Sequence, residues 1–195
     1  MDKQQDIDAN AQSVRDWLTS FMAKPNANLG RAGAVCPFVP SAIAQDTIRL
    51  LSFSGDTIDR LKEITRAEAS ALQVRMKERP DQRPLHVTIM LFPTADAATI
   101  DTAQDQLKEE LVDLGLMIGE FHPKHSGSGL HNPNFQPMRA PVPLLVLREM
   151  VRQDLVFLSD EKRYSKERIQ RFVASFHRLF TERRQCPRTN HGRPS

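Results

Sequence analysis

The chain has only two cysteines, eight glycines against thirteen prolines, and 6% aromatic residues. It has no run approaching the ~20 consecutive apolar residues of a membrane span. Cys36 and Cys186 lie far apart, so no structural disulfide is expected and both read as free thiols. Prolines cannot be hidden inside regular elements, so several must sit in ordered loops. The opening Met1-Asp2-Lys3-Gln4-Gln5-Asp6 lacks the apolar core of a signal peptide, and the expected location is cytoplasmic. G-x-G-x-x-G, a Walker loop, G-x-S-x-G and C-x-x-C are all missing. Dinucleotide binding, nucleotide hydrolysis, triad hydrolysis and dithiol redox chemistry therefore have no motif behind them.

The 195 residues are 39% hydrophobic and 26% charged, the composition of a globular domain. The net charge of +3 is unevenly spread. Beyond residue 177, five arginines (Arg178, Arg183, Arg184, Arg188 and Arg193) face one acid, Glu182, which leaves residues 1–177 near neutrality. A neutral body with a basic end has no basic face for nucleic acid. The expected organisation is a flexible N-terminus over 1–12, a single α/β domain over 13–184 and a basic flexible tail over 185–195.

Periodicity places the elements. Val14, Trp17, Leu18, Phe21 and Met22 form one helical stripe over Ser13–Ala23. The Gly- and Pro-rich but apolar segment 30–40 reads as a buried loop. Thr47–Phe53 reads as a strand, followed by a helix to about Glu78. Leu85–Phe92 alternates as a strand, with Val87, Ile89 and Leu91 on one face. Thr94 can cap a helix in which Ile100, Ala103, Leu107, Leu111 and Leu114 recur at three and four, and Gly115 stops it. Leu116–Phe121 reads as a third strand, Leu144–Leu158 as a helix and Ser165–Arg183 as a last amphipathic helix. This order implies a small, at least partly parallel sheet with right-handed crossover helices, helices at both termini and a long loop. Loop 122–143 is too long for a simple connection, and its Phe135, Met138 and Val142 favour an ordered state.

Ligands in open α/β sheets bind beyond the carboxyl ends of strands. The third strand ends there in Phe121-His122-Pro123. His122, His125 and His131 follow H-x-x-H-x(5)-H, which matches no closed zinc motif. His122 alone is a candidate metal ligand, as one axial imidazole for haem iron or as an acid/base group; the alternative is a core histidine bonded to a backbone carbonyl. Cys36 precedes a proline, and Phe38 beside it could wall a porphyrin or substrate. An inert buried thiol is the other reading. Phe135 would pack against the same site. Arg139 and Arg148 could hold substrate carboxylates or haem propionates, or form ordinary ion pairs with Glu149 or Glu120.

Gly33-Ala34-Val35-Cys36-Pro37-Phe38, Phe121-His122-Pro123 and Arg139-Ala140-Pro141-Val142-Pro143 with Leu147-Arg148 resemble an uncharacterised bacterial family known only as a domain of unknown function. A larger family of unknown function is similar in its Cys-Pro-Phe, Phe-His-Pro and Arg-x-Pro-x-Pro boxes, with Leu145 here in place of a histidine common there. A more distant likeness, to YqcI/YcgG-type haem proteins, implies haem b and oxidation of a nitrogen group on an amino-acid-like substrate.

The leading expectation is therefore a b-type haem-binding enzyme that transforms a small polar metabolite, with His122 as axial ligand and Cys36, Phe38, Phe135, Arg139 and Arg148 around the cofactor. The alternative is a cofactor-free small-molecule-binding or regulatory domain. The expected partner is a small-molecule substrate; a homodimer is left open, and neither nucleic acid nor membrane is expected. Truncation after Gln185 removes no periodic apolar residue, so thermal unfolding of the shortened chain should show a melting temperature nearly unchanged.

Overall fold

The computed structural model describes residues 3–129 and 132–185. Helix α1 (Lys3–Trp17) continues as a π-helical turn over Leu18–Met22. Then come α2 (Val39–Ala44), β1 (Ile48–Ser52), α3 (Ile58–Glu78), β2 (Val87–Leu91), α4 (Ala97–Asp113) and β3 (Leu116–Phe121). The chain ends with β4 (Leu144–Glu149), the short α5 (Leu155–Leu158) and α6 (Lys166–Gln185). No helix among the described residues is long and apolar enough to cross a membrane.

The expected mixed α/β architecture is present, with one four-stranded sheet in the order β1-β2-β4-β3. β1 and β2 pair in parallel through the α3 crossover, Leu50 opposite Ile89. The crossover through α4 does not set β3 beside β2. β4 lies between them, antiparallel to both, with Ile89 opposite Val146 and Ile118 opposite Leu147. Leu144–Leu158 is thus not a helix: its first six residues are this central strand, and a 3-10 turn (Arg152–Asp154) leads into α5. An unbroken apolar run of four, Leu144-Leu145-Val146-Leu147, suits a strand covered on both faces as well as it suits a buried helix, and only packing separates the two.

Two cores flank the sheet. On one face Met90, Phe92, Leu116, Ile118, Leu145 and Leu147 meet α3 and α4. Of the expected α4 stripe, Ile100, Ala103, Leu107 and Leu111 are fully buried as their spacing predicts, but Leu114, at the C-cap of the helix, is 47% exposed. On the other face Ile89, Leu91 and Leu144 meet Val14, Leu18 and Met22, with Phe135, Ala140 and Val142 of the long loop. The loop is ordered over its described part, and Phe135, Ala140 and Val142, rather than most of its prolines, supply the packing; Leu130 and His131 lie outside the described residues. A third cluster fixes α6 through Phe172 and Phe176 against Val112 and Met117.

The helix expected over 13–23 begins instead at Lys3. The cap of α4 is Asp96, whose Oδ1 accepts from the Thr99 backbone N–H at 2.8 Å, while Thr94 donates to the Gly55 carbonyl. Gly115 ends α4 as expected: its φ of 75° is the left-handed conformation that a side chain penalises. Because β4 is buried between two strands, Leu145→Ala should cost about 2–5 kcal/mol in denaturant unfolding. Val156→Ala, at a side chain 53% exposed, should change stability by less than about 0.5 kcal/mol.

Candidate functional site

Strand alternation decides what faces what at the end of β3. Phe121 turns to the α1 face, where its ring meets Trp17 edge-on at 5.7 Å. Glu120 and then His122 turn to the α4 face. Asp101, in the second turn of α4, places Oδ1 3.0 Å from His122 Nε2. His122 is 4% exposed, and its Nδ1 is buried without a partner. The chain then folds back, the His125 N–H donating to the His122 carbonyl at 3.1 Å, so that the two imidazole rings lie 5.1 Å apart.

His125 is held from three sides. Its Nδ1 accepts from the Gly127 N–H at 2.9 Å, its Nε2 lies 3.6 Å from Glu120, and Arg139 donates to its carbonyl at 3.1 Å. A Cβ at position 127 would stand 2.4 Å from the ring, so only glycine lets the backbone approach this closely. Accepting at Nδ1 puts the proton of the neutral ring on Nε2, toward Glu120.

Glu120 is 4% exposed and receives Arg163 at 2.5 Å. Burial works to raise its pKa, but the His125 and Arg163 hydrogen bonds and the Arg163 charge outweigh it, and the carboxyl titrates below its ordinary range. Beneath it, Gln104 and Lys108 both donate to the Ile118 carbonyl at 3.2 Å. Burial pushes the Lys108 ammonium down to about 8, with Glu120 only partly offsetting it.

The residues singled out from sequence do not all meet here. His122 and His125 do, and Arg139 touches them through a backbone carbonyl; His131 lies outside the described residues. Phe135 and the free thiol of Cys36 pack on the α1 face of the sheet. Arg148 stands over the Phe38 ring at 5.6 Å and pairs with the Asp154 carboxylate. It also donates to the Glu149 backbone carbonyl at 2.9 Å, while the Glu149 carboxylate takes Arg83 and that of Glu120 takes Arg163. Its register partner Met117 precedes His122 by five residues, which is roughly 16 Å along the strand. The orphaned Nδ1 of His122 has the chemistry of an iron ligand. With Cys36, Phe38, Phe135 and Arg148 across the sheet or at its far end, however, these side chains do not fit a porphyrin between them.

Asp101, Glu120, Lys108 and Arg163 carried no motif. Glu120 had one usable signal: a carboxylate at a core-facing position of a strand that is otherwise apolar on that face. Asp101 gave none, because an acid on the solvent side of an amphipathic helix is ordinary.

The chain belongs to a family described as a domain of unknown function (DUF6875), which it matches over residues 11–184. No curated protein and no solved structure matches it.

Between pH 8 and the ordinary lysine value of 10.5, the unfolded chain binds the Lys108 proton more tightly than the folded one, so the Lys108 contribution makes stability rise with pH across that window. Lys108→Met should therefore stabilise the protein most below pH 8, with the gain shrinking toward pH 10.5. Chemical denaturation of both proteins across this range measures the difference.

Proposed function

We propose that the chain is an enzyme acting on a small polar metabolite at the carboxyl end of β3, and that Asp101, His122 and His125 are the ligand set of a divalent transition-metal ion, iron(II) first. One observation carries the reading: a ligand atom from each of the three lies within 4.8 Å of the other two. The 3.0 Å between Asp101 Oδ1 and His122 Nε2 also matches neighbouring ligands on one ion, since bonds of ~2.1 Å at right angles set their ends roughly 3.0 Å apart. Two imidazoles and one carboxylate leave coordination positions for a substrate, the pattern of non-haem iron sites. A bound ion would supply Lewis acidity or one-electron chemistry there.

The protein's own groups have defined tasks in this reading. If His125 binds through Nδ1, it releases the Gly127 N–H while its Nε2–H stays directed at Glu120. Arg163 holds that carboxylate, so the ring is oriented by an outer partner as metal-bound histidines usually are. Asp101, with a side chain 53% exposed, marks the side open to substrate. The setting proposed is cytoplasmic, where Cys36 stays reduced.

A second reading rests on the Gly127 contact. A backbone N–H on Nδ1 fixes the His125 tautomer without any metal, as a cofactor-free acid–base or binding centre requires.

Equilibrium dialysis of the full chain against iron(II), manganese(II) and zinc(II), followed by metal analysis, separates these readings. One ion per chain is expected, with affinity falling at least about 100-fold in His122→Ala and Asp101→Asn. Absence of stoichiometric metal would leave the acid–base reading. A Soret band in haem-supplemented protein that vanishes in His122→Ala would return the site to haem.

A further inference from the structure

A second hollow lies at the opposite end of the sheet, where the amino ends of β1 and β2 meet the last turns of α3. It has a volume of about 380 Å³ and is lined by Arg49, Arg75, Arg79 and His86, with the carboxylates of Asp46 and Glu78 also on its wall. Its volume is within the ~300–1,000 Å³ of small-molecule sites. β2 separates it from the His122 end: Val87 follows His86 directly, while Leu91 sits opposite Leu144, the register partner of Phe121.

The hollow contains polar groups whose bonding is unmet. His86 is 5% exposed, yet neither Nδ1 nor Nε2 has a partner. Arg75 donates to Thr88 Oγ1 at 2.6 Å, but its Nε is buried and also without a partner. Leaving such groups unsatisfied is costly, and a native protein rarely carries several together without a reason. Burial, and then the charges of Arg75 and Arg79, hold the His86 ring below its ordinary pKa, so it is neutral at pH 7. The unmet set is thus two N–H donors, on Arg75 and on one His86 nitrogen, and one acceptor, the other His86 nitrogen. Three guanidinium groups and two carboxylates line the wall, and Glu68, 4.0 Å from Arg49, together with Asp81, whose charge acts on His86, removes any positive surplus. The unmet hydrogen-bonding groups of Arg75 and His86, rather than net charge, would therefore hold a ligand.

We propose that this hollow binds a phosphate group carried by a small molecule, held by Arg75, Arg79 and the edge of His86. Guanidinium groups match phosphate oxygens in pairs. A phosphate monoester, whose second pKa is ~6, exchanges its dianion with a singly protonated form near neutral pH, and that form has a P–OH that can donate to the bare His86 nitrogen, so the site would select it. An ionised carboxylate or sulfate can only accept, and leaves that nitrogen unmet. The remaining volume takes the organic part of the ligand. This site is independent of the proposed metal centre.

The test is an NMR titration of the full chain at pH 7 and constant ionic strength with inorganic phosphate, sulfate and acetate, read at the His86 ring nitrogens and Arg75 Nε. Phosphate should give saturable shifts at both residues. Arg75→Gln and Arg79→Gln should each weaken binding about tenfold, and sulfate and acetate should bind at least about tenfold more weakly. Arg79, exposed near the end of α3, keeps the test intact if Arg75→Gln fails to fold. Shifts that do not saturate, affinity unchanged in Arg79→Gln, or sulfate or acetate binding as tightly as phosphate would overturn the proposal. The phosphate titration should be unaltered in His122→Ala, so loss of the metal reading leaves this result standing.

Discussion

β4 has no edge in water: β2 and β3 hydrogen-bond to its two sides, its α4 face is buried, and its other face is covered at Leu144 and half-buried at Val146 and Arg148. Its insertion separates β2 from β3, and so moves α4 across the sheet to lie beside β3. It also requires the chain to return from the carboxyl end of β3 to start β4 at that same end. The 22 residues between Phe121 and Leu144 make that return, and they carry His125, Gly127 and Arg139 with them. Burial of Leu144, Leu145 and Leu147 thus sets the sheet order and closes the histidine cluster.

The two ends of the sheet gather different charged groups. At the carboxyl end, buried Glu120 is held charged by Arg163 and His125, and Asp101 adds a second acid that suits a cation. At the amino end, burial and then Arg75 and Arg79 hold the His86 ring below its ordinary pKa, with Asp81 and Glu78 opposing them and Arg49 paired with Glu68. Burial strengthens both, because charges removed from water interact through a lower effective dielectric and must find partners there.

The helical cores follow from spacing. The α4 stripe, the alternation of Val87, Ile89 and Leu91, and the stop at Gly115 are local patterns, and each appears where a period of 3.6 or 2 puts it. Local patterns also placed His122 at a strand end and marked Phe135 and Val142 of the long loop as residues that pack on the sheet. They could not tell a two-sided buried strand from a helix at 144–149, because an apolar run without alternation has no period to read.

Sequence by itself determined the element types of α3, α4, α6 and β1 to β3, the parallel β1–β2 pair, and the place of His122 directly after β3. Tertiary structure alone decided that β4 enters between β2 and β3, that Asp101 rather than Cys36 or Arg148 faces His122, and that His86 lies among three arginines. The physical reason is separation along the chain: Asp101 stands 21 residues from His122, and the amino ends of β1 and β2 are joined through the long α3 crossover. Only the packing of α3 and α4 on one face of the sheet brings Asp101 within hydrogen-bond distance of His122 and gathers the arginines around the same hollow as His86.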